Sequence, residues 1–219
     1  MKALLLFFLL SFSCTSFAVN YVVGEGSEFK MYSEKTEPVY LSIYITESSF
    51  TKLGVEYYFA AGGIFGVEVW QQFGLGLQNK ILSLDEGYIL SNKMKKAEIM
   101  TPEFLKNNKN GVQIEDFFFS KMGDIEKFKI GVEKVEVPAG NITCTHYQKM
   151  RDDQTVDFWI SDKAGALGLV KLVSKGKTNK NHNYRIELQS LIKNVKAKIK
   201  KSEAVPLTEK GRLFLDPKM

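Results

Sequence analysis

Cysteine and histidine are scarce in this sequence, which contains two of each: Cys14, Cys144, His146 and His182. Cys14 lies in an N-terminal segment that we expect to be removed, so Cys144 is then the only cysteine of the mature chain. A lone cysteine forms no intramolecular disulfide, and the fold therefore depends on its apolar core. Two histidines and one cysteine also argue against a metal centre, which needs three or four ligands.

The motifs of several enzyme classes are absent too. There is no GxSxG nucleophile motif and no HExxH zinc motif, and the stretch 62–66 (GGIFG) lacks the Lys-Ser/Thr of a phosphate-binding loop. The paired acids at 85–86 and 152–153 fall in predicted turns, where acids are common for structural reasons. We therefore predict a protein that is not an enzyme and has no cofactor and no metal. A hydrolase with dispersed site residues is kept as an alternative.

Long hydrophobic runs are confined to the N-terminus, where residues 3–12 form an apolar stretch. This stretch is shorter than the roughly 20 residues of a transmembrane helix and has the length of a secretory signal core. Small residues at Ser16 and Ala18 suit signal peptidase, so residues 1–18 are predicted to be a signal peptide. An uncleaved anchor and a lipoprotein acylated at Cys14 are the alternatives.

Removal of residues 1–18 leaves 201 residues (219 minus 18), which is the length of one domain. We divide the chain into the signal peptide, a single β-rich domain at 19–201 and a C-terminal tail at 202–219. The protein is expected to be exported, and so to be periplasmic or envelope-associated. Its mild net charge, +5 for the whole chain, argues against nucleic acid as the partner of an exported protein.

A lysine-rich stretch lies at the end of the predicted domain. Its five lysines are Lys193, Lys196, Lys198, Lys200 and Lys201. Such a run is typical of a solvated strand end, and it is alternatively a contact for an anionic membrane surface or an envelope protein. The sequence leaves both interpretations open.

Alternation of apolar and polar residues with a period of two is the main pattern. In the stretch 39–46 (VYLSIYIT) the aliphatic residues share one face, which is typical of a half-buried strand. Apolar runs on either side of Gly62 and Gly63 predict a hairpin. Residues 81–90 predict two short strands that turn at 85–87.

The second half of the chain follows one short predicted helix at about 101–107, where Thr101 precedes a proline and an acid. A Pro-Ala-Gly sequence at 138–140 predicts a turn between two alternating strands. Long strands, few helices and the lack of a βαβ rhythm predict an all-β or β-rich α+β fold built on antiparallel sheet.

Cys144 and His146 are the pair most suggestive of catalysis. As residues i and i+2 of a strand they share a face, roughly 6 to 7 Å apart. A nucleophilic cysteine needs a base within about 3 Å and a lowered pKa. We therefore interpret Cys144 as a small core side chain rather than as a nucleophile.

Aromatic residues are abundant, with 16 Phe, 9 Tyr and 2 Trp, and several lie on strand faces opposite the aliphatic residues. A sheet that is apolar on both faces must be covered on both, unless one face lines a cavity. A covering helix or sheet and a cavity for an apolar ligand both remain open. The residues predicted to line such a cavity are Trp70, Val137, Ile142, Phe158, Trp159, Ile160 and Leu169.

Three motifs within residues 132–191 resemble an uncharacterised family of exported bacterial proteins: VEVPAGNI at 135–142, FWIS at 158–161 and LGLVKL at 167–172. That family is similar to the periplasmic lipoprotein carriers and the outer-membrane lipoprotein receptors. The resemblance implies a curved antiparallel sheet forming an open half-barrel, whose apolar concave side is plugged by helices and holds acyl chains, whereas this sequence predicts only a few short helices. No residue role carries over, because the carriers' arginine in an early strand has no counterpart before Arg151.

These observations lead to one main hypothesis and two alternatives. The main hypothesis is a non-catalytic exported envelope protein that binds a lipid or lipoprotein acyl chains in a half-barrel cavity. The first alternative is a structural or protein-interaction component of the envelope with a filled core. The second is the hydrolase with dispersed site residues.

Overall fold

The structure is a computed structural model that describes residues 21–34, 36–61, 66–78, 81–107, 125–151, 153–165, 168–178 and 183–215. The predicted signal peptide with Cys14, the glycine pair Gly62 and Gly63, and His182 lie outside these residues. The strands are β1 (Gly26–Ser33), β2 (Val39–Ser48), β3 (Lys52–Ala61), β4 (Val67–Gln78), β5 (Ile81–Ser91), β6 (Glu98–Ile99), β7 (Lys129–Val137), β8 (Gly140–Arg151), β9 (Gln154–Ile160), β10 (Leu169–Gly176), β11 (Tyr184–Ile192) and β12 (Val205–Pro206). The helices are α1 (Pro102–Asn107) and α2 (Glu209–Leu213), and 3₁₀ turns occur at Glu126–Phe128 and Lys201–Glu203.

All these strands belong to one sheet, in the order β12-β6-β5-β4-β3-β2-β1-β11-β10-β9-β8-β7. Neighbouring strands are antiparallel, except that β6 and β12 run parallel. The edge strands β7 and β12 do not pair with each other, so the sheet stays open. The predicted β-rich open half-barrel with few short helices is confirmed, with one parallel pair added to the expected antiparallel sheet.

Strand β1 joins the two halves of the sheet, because it lies between β2 and β11. Phe29 on β1 is 1% exposed, and its cross-strand partners are Leu41 on β2 and Leu188 on β11. All three side chains are buried, so the core is continuous across the joint. We call the face of the sheet that carries them the core face and the opposite face the outer face.

The predicted alternation of β2 is confirmed. Leu41, Ile43 and Ile45 are at most 8% exposed and lie on the core face, whereas Tyr40 on the outer face is 55% exposed. Tyr44 also lies on the outer face but is only 4% exposed. The reason is that the C-terminal part of the chain crosses the outer face at this point.

The β7–β8 hairpin curls back over the core. Its turn contains Gly140, whose φ of +120° disfavours any residue with a Cβ, in agreement with the turn predicted at 138–140. The Ala139 N–H donates to the Leu188 carbonyl oxygen at 3.3 Å, although β9 and β10 separate β8 from β11 in the sheet. The sheet is therefore strongly curved in its C-terminal half.

Strand β5 differs from its prediction. The turn expected around Asp85 is wrong, because one continuous strand passes through it. The register changes between the cross-strand pairs Gly74–Glu86 and Leu75–Leu84, which leaves Asp85 as an extra residue. A β-bulge thus accommodates the polar residues that the sequence pattern attributed to a turn.

A threonine precedes each of the two short helices and caps its N-terminus. The Phe104 N–H donates to the Thr101 hydroxyl at 3.2 Å, and the Gly211 N–H donates to the Thr208 hydroxyl at 3.3 Å. These caps satisfy backbone donors that a helix start otherwise leaves unpaired. The helix predicted at about 101–107 is confirmed, whereas α2 was not predicted.

The segment 193–204, which we call the C-terminal strap, crosses the outer face from β11 to β12. It begins with the Val195 N–H donating to the Gly24 carbonyl oxygen at 3.0 Å. Beyond the strap, β12 pairs with β6, and Leu215 is 7% exposed within the hydrophobic core. Residues 205–215, which the sequence assigned to a C-terminal tail, therefore belong to the sheet and its core.

Candidate functional site

The core face is apolar along the sheet, but its burial is uneven. On strands β1, β3, β4 and β11, four apolar side chains that pack on the core are only half-buried. They are Met31, Phe59, Val69 and Tyr184, and we call them the apolar rim. Phe59 and Val69 are cross-strand partners on β3 and β4. The other two lie on β1 and β11, which pair with each other and are separated from β3 by β2.

Aromatic rings continue the apolar rim into the core. The Tyr57 ring is 4% exposed and stacks with Phe59, with 6.3 Å between centroids. It also meets Phe73 edge-on, at 5.8 Å. Rigid rings of this kind provide a large apolar surface, and Phe59 is the half-buried end of this packed aromatic cluster.

Five of the seven residues predicted to bind the ligand belong to the core or pack against it. Val137, Phe158 and Leu169 are 5–7% exposed, and Ile142 and Ile160 are half-buried. Ile160 and Leu169 are cross-strand partners on β9 and β10. The structure thus gathers these five residues in the C-terminal half of the sheet, where the protein itself packs around the most buried ones.

The two tryptophans predicted as cavity walls lie on the outer face. Trp159 alternates with Phe158 and Ile160 along β9, and Trp70 alternates with Val69 along β4. Residues that alternate along a strand point to opposite sides of the sheet. The structure therefore does not bring Trp70 and Trp159 together with the apolar rim.

His146 is the cross-strand partner of Trp159 and is held between two carboxylates. Its Nδ1 lies 3.2 Å from Oε1 of Glu133, its Nε2 lies 2.8 Å from Oδ1 of Asp157, and its ring stacks on Trp159 at 4.4 Å. The Trp159 indole N–H donates to the same Glu133 oxygen at 2.6 Å. The carboxylates approach opposite ring nitrogens, so they do not converge on one metal ion. Among the described residues, no group of three or more His, Cys, Asp or Glu is arranged to hold a metal.

Cys144 is a core residue, as predicted. It is 1% exposed, and its Sγ lies 3.4 Å from the Ile142 carbonyl oxygen. Both ring nitrogens of His146 face carboxylates, so neither is directed to the thiol as a base. Burial, and then the negative charge of Glu133, raise the pKa of Cys144 to about 11. The thiol is therefore protonated near neutral pH and is a poor nucleophile.

Cys144 is expected to react slowly with thiol reagents in the folded protein. In a Cys14→Ser background at pH 8, a pKa of about 11 leaves roughly one thiol in a thousand ionised, against about one in ten for an unperturbed cysteine. Modification by Ellman's reagent should be at least about 100-fold slower in the folded state than in urea. The matched control is the neighbouring exposed position, as Thr143→Cys with Cys144→Ala, which should react at the unfolded rate. Equal rates for the two folded variants would contradict the assignment.

Glu56 is a polar residue whose importance the sequence did not reveal. It is 0% exposed, and its carboxylate accepts hydrogen bonds from the Tyr44 hydroxyl, from Gln72 Nε2 at 3.1 Å, and from the backbone N–H groups of Lys198 at 2.8 Å and Ile199 at 3.1 Å. It thereby fixes the C-terminal strap to the sheet. The one available signal was an acid in the otherwise apolar and aromatic β3.

Two lysines of the predicted basic run make contacts within the protein. Lys201 forms ion pairs with Glu86 and, at 3.3 Å, with Glu47. The Lys198 ammonium lies over the Trp70 ring, 5.2 Å from its centroid. Both side chains therefore help to hold the strap on the outer face.

The remaining lysines of the run are open to solvent. The side chains of Lys193 and Lys200 are 70% and 73% exposed, and Lys196 is exposed as well. The run is thus divided between structural and solvated residues. Within the described part of the chain, no helix has the length and apolar character that crossing a membrane requires.

Comparisons with known proteins give weak likenesses. No family model and no curated protein matches the sequence. Among solved structures, the chain is similar to a candidate lipoprotein from Parabacteroides distasonis, at 13% identity and a TM-score of 0.34, over 78% of this chain and 95% of that chain. It is also similar to MucB, solved in complex with MucA(peri), at 9% identity and a TM-score of 0.36, over 87% of this chain but only 57% of that chain. Neither likeness is close enough to carry an inference about function.

Proposed function

We propose that this protein is a non-catalytic protein of the cell envelope that binds an apolar ligand, such as a lipid or the acyl chains of a lipoprotein. The observation that carries the proposal is the apolar rim, where Met31, Phe59, Val69 and Tyr184 remain half-buried on the core face of an open sheet. Export by the signal peptide 1–18 to the periplasm or envelope is part of the same proposal.

Binding in this proposal consists of the burial of apolar surface, without a chemical step. Each methylene removed from water contributes about 0.8 kcal/mol, before the entropic cost of association is subtracted. The aromatic cluster behind the apolar rim supplies rigid contact area, which lowers that entropic cost. The protonated thiol of Cys144, and a His146 ring held by two carboxylates, fit a role without catalysis.

A second candidate function is a structural or protein-interaction component of the envelope with a filled core. It is favoured by the close burial of Val137, Phe158 and Leu169, which are each at most 7% exposed. These three residues were predicted to line a ligand cavity, but they pack against other residues of the hydrophobic core. The two candidates differ in one property, namely whether the protein carries an apolar ligand.

Organic extraction and mass spectrometry of the purified protein are expected to detect bound acyl lipid. The double variant Met31→Gln, Val69→Thr keeps side-chain shape but sets polar atoms against the ligand. Each such atom costs on the order of 1 kcal/mol or more, so the retained lipid should fall about tenfold or more. Absence of lipid from the parent protein, including after incubation with fatty acid, would favour the filled-core candidate.

The matched control for this experiment is Val173→Thr. Val173 is half-buried, and its cross-strand partners on the outer face are Asp157 and Arg185. The Val173→Thr substitution makes the same chemical change as Val69→Thr but away from the apolar rim. The lipid content of this variant should therefore stay at the parent level. An equal loss in this control would show that stability, rather than the rim, decides lipid retention.

A further inference from the structure

Two basic segments that are distant in the sequence meet at one corner of the sheet. The turn between β5 and β6 contributes Lys93, Lys95 and Lys96, and helix α2 contributes Lys210 and Arg212. We call these five residues the basic corner. All five are exposed.

The basic corner is held together by defined contacts. The Lys210 ammonium donates to the backbone carbonyl oxygen of Lys93, which joins α2 to the turn. The residue before α2, Thr208, donates through its N–H and its hydroxyl to the Glu98 carboxylate, at 2.6 and 2.8 Å. These contacts hold α2, with its two basic residues, next to the turn between β5 and β6.

Positive charge predominates at the corner. Two acids accompany the five basic side chains: Glu98, which is 6% exposed and accepts hydrogen bonds from Thr208, and Glu209. Glu209 lies 3.5 Å from Arg212, but its side chain is 92% exposed, so solvent screens this pair strongly. The corner therefore presents a concentrated positive potential to solvent.

An exposed apolar side chain follows the cations of α2. Leu213 at the end of this helix is 57% exposed. Leu215, two residues beyond Leu213, is buried in the core, so α2 is anchored while Leu213 remains outside. Cations followed by an exposed aliphatic side chain complement a bilayer surface, which offers anionic headgroups and an apolar layer beneath them.

We infer that the basic corner docks the protein on an anionic phospholipid surface, with Lys93, Lys95, Lys96, Lys210 and Arg212 contacting headgroups and Leu213 entering the interface. This surface is separate in the sequence from the lysine run of the C-terminal strap, where Lys201 is half-buried and paired with Glu86 and Glu47. The inference does not rest on the apolar rim, since docking needs no bound ligand.

Sedimentation with vesicles of phosphatidylcholine, with and without phosphatidylglycerol, tests the inference. The protein should bind only the vesicles that contain phosphatidylglycerol, and added salt should weaken binding, because exposed charges are screened. A basic residue near an anionic surface contributes about 1 kcal/mol, so the triple variant Lys93→Gln, Lys95→Gln, Lys96→Gln should bind on the order of 100-fold more weakly.

The matched control is the triple variant Lys163→Gln, Lys175→Gln, Lys177→Gln. These lysines are also exposed, so the net charge changes equally at another place. Binding by this control should stay within about threefold of the parent, because the basic corner keeps all five cations. Equal losses in both triple variants, or equal binding to vesicles without phosphatidylglycerol, would overturn the inference.

Leu213→Gln separates a membrane from other anionic partners. It should weaken vesicle binding about tenfold, because the leucine no longer enters the interface, while binding to the soluble polyanion heparin stays unchanged. Binding of the parent to heparin without binding to anionic vesicles would overturn the lipid assignment. Unchanged thermal unfolding of each variant checks that the fold is intact.

Discussion

Glu56→Ala is expected to lower the free energy of unfolding by about 4 kcal/mol. The substitution removes the acceptor of four donors, two of which are the backbone N–H groups of Lys198 and Ile199. The other two are Tyr44 and Gln72, both at most 4% exposed. Buried donors that lose their acceptor cost their full desolvation free energy, and this explains the size of the effect.

The same carboxylate also raises the pKa of Tyr44. Burial is the largest cause, and the hydrogen bond to Glu56 adds to it, so the phenol keeps its proton far above its ordinary range. Tyr44 is therefore a hydrogen-bond donor at every pH at which the protein is handled. In Glu56→Ala the buried Tyr44 hydroxyl therefore remains a donor that has lost its acceptor.

Urea unfolding followed by circular dichroism measures the predicted loss. Glu203→Ala is the control, because Glu203 lies in the same strap with its side chain 59% exposed, and its loss should cost at most about 0.5 kcal/mol. Limited trypsin digestion should also cut Glu56→Ala faster after the strap lysines, since the strap loses its anchor. A parent-like urea midpoint for Glu56→Ala would contradict the role assigned to this carboxylate.

Gly26→Ala is expected to destabilise the protein by about 3 kcal/mol although it adds one methyl group. A Cβ at position 26 would lie 2.2 Å from the Ile43 carbonyl oxygen and 2.5 Å from Cβ of Tyr44. The first clash involves backbone, which rotamer changes do not relieve. Gly26 also lies on β1, between β2 and β11, so the displaced strand is the one that joins the two halves of the sheet.

Gly131→Ala is the matched control for this experiment. Gly131 lies on the edge strand β7, and an added Cβ there meets nothing within 4 Å. The substitution should change stability by less than about 1 kcal/mol, in the stabilising direction, because alanine restricts the unfolded chain more than glycine. Thermal and urea unfolding of the two variants, side by side, measure the contrast. Equal stability of the two variants would show that the close approach at Gly26 relaxes without cost.

The elements that could be predicted are those whose pattern is local. The alternation that buries Leu41, Ile43 and Ile45 follows from the two-residue repeat of a strand, whatever the strand pairs with. The helix start at Thr101 and the turn at Gly140 likewise depend on hydrogen bonds and dihedral angles within a few residues. The bulge at Asp85 was missed because its strand continues only through pairing with β4.

The candidate site was less predictable than the strands. Trp70 and Trp159 were predicted as aromatic walls of a cavity on the face opposite the aliphatic residues, and they lie on that outer face, away from the apolar rim. The half-burial of Phe59 and Val69 depends on where each strand ends relative to its neighbours, and a single sequence does not contain that register. The role of Glu56 depends on a partner segment 142 residues away in the sequence.

The sequence by itself determined the alternation of β2 with its buried face, the helix at Thr101 and the turn at 138–140. Only the tertiary structure decided that the C-terminal strap covers Tyr44, that β1 joins the halves, and that Lys93 and Lys210 meet at one corner. The physical reason is the range of the interactions. Successive side chains of a strand point to opposite faces because the backbone is pleated, so this periodicity is local. Contacts between distant segments depend instead on the conformation of the whole chain that connects them.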